Sequence, residues 1–76
     1  MELNEFVEKF AEQFDDTDPS EIKAETNFRD LEEWSSLIGL SVISMIDDEF
    51  EVTLKGEDMR KAQTVEELYH IVQSKL

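Results

Sequence analysis

The chain has 76 residues, and its 20 acidic and 7 basic side chains give it a formal charge of −13 at pH 7. This length predicts one domain, over residues 1–76. The negative charge argues against binding to nucleic acids or to the surface of anionic membranes, and it favours partners with basic surfaces. The chain has no cysteine, which excludes a thiol nucleophile and a thiolate metal site of its own. No apolar run is long enough for a signal peptide or a membrane span, so we expect a cytoplasmic protein, and a monomer.

The first predicted element is an amphipathic helix. Its apolar residues recur at helical spacing and are Leu3, Phe6, Val7, Phe10, Ala11 and Phe14. Residues 15–20 end this helix, because Pro19 disfavours a helical residue before it and short polar side chains favour turns. A long loop is predicted over 19–35, with one turn of helix near 20–23. Its isolated apolar anchors are Ile22, Phe28, Leu31 and Trp34.

Three further helices are predicted after the loop. The second runs from Ser36 to Phe50, and its apolar stripe is Leu37, Leu40, Ile43, Ile46 and Phe50. Residues 52–54 form an extended link, and Gly56 gives a turn before a short helix over 57–62. Thr64 and Glu67 form a capping box that opens the last helix, whose buried stripe is Val65, Leu68, Ile71 and Val72. The sum is an all-α fold, a four-helix bundle with three main helices, one short third helix and a long loop between helices 1 and 2.

The sequence offers little for catalysis or metal binding. His70 is the only histidine, and its place within the last predicted helix favours an ordinary surface residue. Asp16 and Asp18 have an EF-hand-like spacing, but Glu21 and Asn27 stand where that motif needs a glycine and a closing glutamate. We therefore expect neither an enzyme nor a metal site.

Two serines stand where the long loop enters the second helix. Ser35 at the N-cap would stabilise the helix by about 1 kcal/mol relative to alanine. Ser36, then the first helical residue, is placed to carry a phosphate ester, because helix N-termini favour anions. From these two residues alone, capping is the simpler interpretation. The surrounding stretch 30–54 contains seven acidic residues and no Lys or Arg, and this segregated charge predicts docking onto basic surfaces.

These features together resemble the acyl carrier proteins, small acidic proteins that bear 4′-phosphopantetheine on a serine. The family hallmark is Asp-Ser-Leu at the start of the second helix, followed by hydrophobic residues and an acidic cluster that ends in Phe. Here the corresponding segments are 35–37 (Ser-Ser-Leu) and 47–50 (Asp-Asp-Glu-Phe). Phe28, Asp30-Leu31 and Thr64-Val65 also follow the family pattern, so the likeness covers essentially the whole chain.

The resemblance implies that Ser36 carries covalent 4′-phosphopantetheine, transferred from coenzyme A by a phosphopantetheinyl transferase. Acyl groups would travel as thioesters on this arm to enzymes of fatty-acid or polyketide-type biosynthesis, and the carrier itself would catalyse nothing. The implied docking residues for basic enzyme surfaces are Leu37, Ile38, Leu40, Ser41, Asp47, Asp48, Glu51, Glu57 and Asp58. The positions that line the acyl cavity in relatives are Phe28, Ile46, Leu54, Met59, Ala62 and Leu68.

The chain also departs from the family pattern. Ser35 replaces the hallmark Asp, which bears on how well the transferase modifies the chain, and Ile38 and Ser41 occupy positions that are commonly acidic. Gly39 costs about 0.5–1 kcal/mol relative to alanine in a helix and allows close approach of the arm, a partner or the loop. Trp34 is interpreted as a lid over the core. Two alternatives stay open: a carrier for an aminoacyl or specialised acyl unit, and a cofactor-free, carrier-like protein-binding module.

Overall fold

The computed structural model describes residues 2–76, and this part of the chain contains four α-helices. The helices are α1 (Leu3–Ala11), α2 (Ser36–Phe50), α3 (Gly56–Lys61) and α4 (Val65–Ser74). Two single turns of 3-10 helix, Pro19–Glu21 and Phe28–Asp30, lie in the α1–α2 loop, and no strand forms within 2–76 beyond one isolated bridge. The predicted all-α bundle with a short third helix and a long first loop is confirmed. Among these residues, no helix combines the length and the apolar character that crossing a membrane requires.

The core forms where the apolar faces of α1, α2 and α4 meet. Helix α1 packs against both α2 and α4, and α3 packs against α4. Phe6 of α1 is fully buried, and its ring centroid lies 5.9 Å from that of Phe50 and 5.6 Å from that of Tyr69. Ile46 of α2 and Leu68 of α4 belong to the same core cluster and are also fully buried. Tyr69 belongs to the buried face of α4, where Ile71 was predicted instead and is only half-buried.

Helix α1 ends earlier than its apolar spacing predicts. The last helical residue is Ala11, and the chain then tightens, because the N–H groups of Gln13 and Phe14 donate to the carbonyls three residues before them, at 3.1 Å. Phe14 nevertheless enters the core, where its ring stacks on Trp34 with the centroids 6.3 Å apart. The apolar residues predicted for α1 are therefore in the core or packed against it as far as Phe14, although the helix itself ends at Ala11.

Helix α2 has the predicted bounds but a different buried face. Leu37 and Leu40, which the spacing placed in the apolar stripe and the family resemblance assigned to docking, are 73% and 62% exposed, whereas Val42, Met45 and Ile46 are buried. The stripe was wrong for these two residues as a packing face, because apolar residues occur on more than one side of this helix and their spacing alone does not single out the side that packs.

The long α1–α2 loop is held by polar contacts at several points. The Glu33 carboxylate accepts hydrogen bonds from the N–H groups of Asp15 (2.8 Å) and Asp16 (3.0 Å) and from the Thr17 hydroxyl (2.8 Å). Further along, the Phe28 N–H donates to the Gln63 carbonyl at 3.1 Å, next to the bridge between residues 27 and 64. The loop thus spans the bundle and is fixed at the start of α4.

The two turns in this loop are each capped by a short polar side chain. Asp18 accepts a hydrogen bond from the Ser20 N–H (2.9 Å) before the first turn, which lies close to the predicted turn at 20–23. Asn27 accepts one from the Arg29 N–H (3.0 Å) before the second turn, which was not predicted.

Helix α4 begins at a side-chain cap, and α3 begins one residue earlier than predicted. Thr64 Oγ accepts a hydrogen bond from the Glu67 N–H (3.1 Å), and the Glu67 carboxylate accepts one in return from the Thr64 N–H (3.0 Å), so the predicted capping box is confirmed. Hydrogen bonds from the N–H groups of Gln63 and Thr64 hold the pKa of Glu67 below its ordinary value. Gly56, predicted as a turn, is instead the first residue of α3.

Candidate functional site

The start of α2 presents two exposed serines with different surroundings. Ser35 is the N-cap residue, in an extended conformation with φ −156° and ψ 172°, and its Oγ accepts a hydrogen bond from the Ile38 N–H at 3.3 Å. Ser36 is the first residue of the helix and is exposed to solvent. The capping interpretation of Ser35 is therefore confirmed, and it leaves the Ser36 hydroxyl accessible for modification.

The loop packs closely on α2 just after these serines. The Trp34 ring is half-buried, its centroid 4.7 Å from that of Phe28 and 6.5 Å from that of Phe10. A Cβ atom placed on Gly39 would lie 3.6 Å from Cζ2 and Cη2 of Trp34. These contacts agree with the interpretation of Trp34 as a lid over the core, and they show that Gly39 faces the loop.

A cavity of about 320 Å³ opens beside Ser36, between the start of α2 and α3. Both serines line it, together with the apolar side chains of Trp34, Ile43 and Met59. A serine hydroxyl at the edge of a partly apolar cavity suits a covalently attached group whose far end is itself apolar.

The six residues predicted to line an acyl cavity all lie in the core. They are between 0 and 7% exposed and are Phe28, Ile46, Leu54, Met59, Ala62 and Leu68. Of these six, Met59 alone borders the cavity beside Ser36. The structure therefore brings the predicted residues together, but as closely packed core behind the cavity wall, with flexible Met59 at the boundary.

Most of the predicted docking residues lie on α2 or in the segment after it, and six of them are exposed. Leu37 and Leu40 are exposed at the start of the helix, with Ile38 and Ser41 half-buried beside them. The exposed acidic residues are Asp47, Asp48, Glu51 and Glu57. An apolar first half followed by an acidic second half gives α2 two chemically distinct parts.

Asp58 does not share this exposure. It is 8% exposed, its carboxylate accepts a hydrogen bond from the Lys55 N–H at 3.0 Å, and it lies 3.7 Å from Nζ of Lys75. The hydrogen bond to Lys55 and the nearby charges of Lys75 and Lys61 hold the pKa of Asp58 below its ordinary value of 3.8. Its charge is used to cap α3, which does not favour the docking role predicted for it.

Arg29 contributes to the site and was missed from the sequence. Its Nε donates to the Ala62 carbonyl at 3.1 Å and its Nη2 to the Met59 carbonyl at 2.5 Å, so it ties the loop to the end of α3. Its guanidinium also lies 5.5 Å from the centre of the Phe28 ring. The available signal was that Arg29 is the only basic residue between Lys23 and Lys55.

An acidic helical bundle with an exposed serine at the start of its second helix has the architecture of a carrier domain. A family model described as "Phosphopantetheine attachment site" matches residues 4–72, and the chain belongs to this family. Domains of the family are non-catalytic carriers to which 4′-phosphopantetheine is covalently attached. The comparisons with curated proteins and with solved structures give no match.

The residues at the start of α2 fit this group. Ser36 is exposed and could supply the hydroxyl for the phosphodiester, and no Asp or Glu lines the cavity beside it. The apolar wall formed by Trp34, Ile43 and Met59 suits the uncharged remainder of the arm. When bound, the group supplies a terminal thiol, which this chain, without cysteine, does not have.

Proposed function

We propose that this chain is an acyl carrier protein and that Ser36 is the residue that bears 4′-phosphopantetheine. The observation that carries the proposal is the family match over 4–72 together with the exposed Ser36 hydroxyl at the first residue of α2. Ser35 is the less suitable attachment residue, because its hydroxyl caps the helix through the Ile38 N–H.

The cargo in this proposal is an acyl group held as a thioester and delivered to enzymes of fatty-acid or polyketide-type biosynthesis. The chain would bind and position this cargo, acting as a cytoplasmic monomer with one carrier domain over 1–76, while its partners perform the chemistry. A flexible arm keeps the thioester at a high effective concentration near each docked enzyme. The cavity beside Ser36 supports this role, because its apolar wall can shield part of the arm from water.

The docking surface in this proposal is the exposed side of α2 and the start of α3. Leu37 and Leu40 offer apolar contact area close to Ser36, and Asp47, Asp48 and Glu51 offer negative charge further along the helix. Charges of this kind mainly raise the association rate with basic enzyme surfaces, and salt should weaken their effect.

The attachment residue can be tested by intact mass after incubation with coenzyme A and a broad-specificity phosphopantetheinyl transferase. The wild-type sequence and Ser35→Ala should each gain the mass of one phosphopantetheinyl group, and Ser36→Ala should gain none. Ser35→Ala is the matched control, because it removes a neighbouring hydroxyl and costs only about 1 kcal/mol of helix capping. Modification of Ser36→Ala, or its absence in Ser35→Ala that is still folded, would contradict the assignment.

The same samples separate the alternative functions. A carrier for aminoacyl or specialised acyl units would be modified at Ser36 but loaded by different enzymes, which the intact mass of the charged form distinguishes. A chain that stays bare with every transferase tried would instead be a cofactor-free binding module, a possibility raised by Ser35 in the hallmark position.

A further inference from the structure

The cavity beside Ser36 differs in charge from the rest of the protein. Arg29 and Arg60, two of the seven basic residues of the chain, line it, and no Asp or Glu does. The three other cavities described within residues 2–76 all have carboxylates in their walls. In a chain with 20 acidic residues, a cavity lined by two arginines and by no carboxylate favours an anionic ligand.

Of the two arginines, Arg60 is the one that is available to a ligand. Arg29 already donates to the carbonyls of Met59 and Ala62. Arg60 is exposed on α3, and its Nη1 lies 3.5 Å from where a Cβ of Gly56 would be, one helical turn earlier. The side chain therefore lies back along α3 with its guanidinium beside Gly56, and Gly56, Arg60 and Ser36 all line the same cavity.

The acidic residues nearest to Ser36 in the sequence do not compete for Arg60. The Glu33 carboxylate is bound to the backbone of residues 15 and 16 and to the Thr17 hydroxyl. Glu32 lines a different cavity, together with Asp16 and Leu31. At position 35, a neutral serine stands next to the attachment residue. The positive charge of Arg60 is thus not cancelled from the α2 side of the cavity.

We propose that Arg60 is a positioning residue that pairs with the phosphodiester of the arm on Ser36. The inference rests on the proposed function, since the phosphorus would be bonded directly to Ser36 Oγ. This bond keeps the anion beside the cavity in every loaded state, whereas the far end of the arm is free to move. A guanidinium pairs well with phosphate oxygens, because its N–H groups match them in a planar, two-point geometry. The pairing would hold the root of the arm against the α2–α3 cavity.

The test compares the apo and phosphopantetheinylated forms by NMR, with intact mass measured first to establish modification. In the wild-type sequence, the Nε–H resonance of Arg60 should shift when the apo form is converted to the holo form. The ³¹P line of the phosphodiester should be narrower in Arg60→Gln, because the phosphate moves more freely, and Arg60→Lys should restore part of the width. Lys61→Gln is the matched control, because it removes the adjacent exposed charge of α3, which does not line the cavity, and it should leave the ³¹P line unchanged.

Failure of this inference is distinct from failure of the proposed function. If the mass shows no modification at Ser36, the proposed function is wrong. If the holo form is made normally but the holo forms of Arg60→Gln and Lys61→Gln have the same ³¹P line width as the wild-type holo form, the pairing with Arg60 is overturned and the carrier function stands. The Nε–H resonance of Arg60 is also compared with a succinyl and a butyryl cargo on the arm. A shift that occurs with the succinyl cargo, and neither in the holo form nor with the butyryl cargo, would show that Arg60 pairs with the carboxylate of the cargo. That result would also overturn the pairing with the phosphodiester.

Discussion

Glu51, one of the proposed docking residues, is held in an unfavourable backbone conformation. It follows the last residue of α2 with φ 57° and ψ 38°, and its N–H donates to the Asp47 carbonyl at 3.0 Å. This left-handed conformation costs a residue with a Cβ atom roughly 1 kcal/mol, whereas glycine adopts it readily. The Glu51→Gly variant should therefore raise the free energy of unfolding by about 1 kcal/mol, which denaturant unfolding would measure.

The matched control for this prediction is Glu51→Gln, which removes the charge from the C-terminal end of α2 and keeps the Cβ atom. If this variant is stabilised as much as Glu51→Gly, charge repulsion at the helix end is the cause, and the backbone argument is wrong. If the conformation is the cause, only the glycine variant gains the full amount.

If the proposed function holds, the missing charge at Ser35 should lower the rate at which a transferase modifies Ser36. An aspartate at this position would keep the cap on the Ile38 N–H and add a negative charge beside Ser36, where a basic transferase surface approaches. Ser35→Asp should raise the kcat/KM of phosphopantetheinylation by up to roughly fivefold, because one exposed ion pair contributes at most about 1 kcal/mol. Ser35→Asn is the control, since it caps without charge. An equal gain with asparagine would attribute the effect to capping.

At this scale, the sequence identifies local features better than contacts across the fold. The Thr64–Glu67 capping box and the cap by Ser35 were predicted, because each joins residues within one helical turn. The contacts of Arg29 with residues 59 and 62 were not predictable, because they join positions 30 or more residues apart and depend on how α3 packs. Ser36 was assigned as the attachment residue only through the family pattern, and the assignment remains a proposal.

At the scale of elements, one carboxylate, that of Glu33, anchors the first part of the α1–α2 loop. The hydrogen bond from the Thr17 hydroxyl, followed by those from the backbone N–H groups of Asp15 and Asp16, holds the pKa of Glu33 below its ordinary value of 4.5. A carboxyl whose pKa is lower in the folded state stabilises the fold above its unfolded pKa, and this contribution is lost as the pH falls through the folded value. Glu33→Gln should therefore lower the Tm at pH 7 and flatten its decline below about pH 4.5.

Glu32→Gln provides the control for Glu33→Gln, because it removes one adjacent exposed charge without a hydrogen bond to residues 15–17. The variants are compared by thermal unfolding from pH 7 to pH 2.5. An equal response of the two variants would show that total charge governs acid unfolding and that the anchoring of the loop does not contribute.

The sequence predicted helix bounds well where a cap marks them and poorly where the chain tightens gradually. Helix α2 has the bounds predicted from Ser35 and Phe50, and α4 begins after Thr64 as expected. Helix α1 ends at Ala11, before the polar stretch predicted to end it, because a tight turn carries Phe14 into the core without regular helix. The buried face of α2 depends on the contacts that α1 and α4 offer, which the spacing of its own residues does not contain.

For the whole molecule, the charge that suits docking also opposes folding. Within residues 2–76, the structure shows two ion pairs between lysine and carboxylate groups, Lys9–Glu49 and Lys75–Asp58, while the whole chain has a net charge of −13. Raising NaCl from 20 to 200 mM shortens the Debye length from about 20 Å to below 10 Å. Because this screening weakens the repulsion between the acidic side chains, it should raise the Tm. The double variant Asp47→Asn/Asp48→Asn should melt higher in low salt and gain less from NaCl, because its self-repulsion is smaller. A Tm independent of salt, or an equal gain for both proteins, would show that the acidic surface carries no cost in stability, and that docking and folding do not compete in this chain.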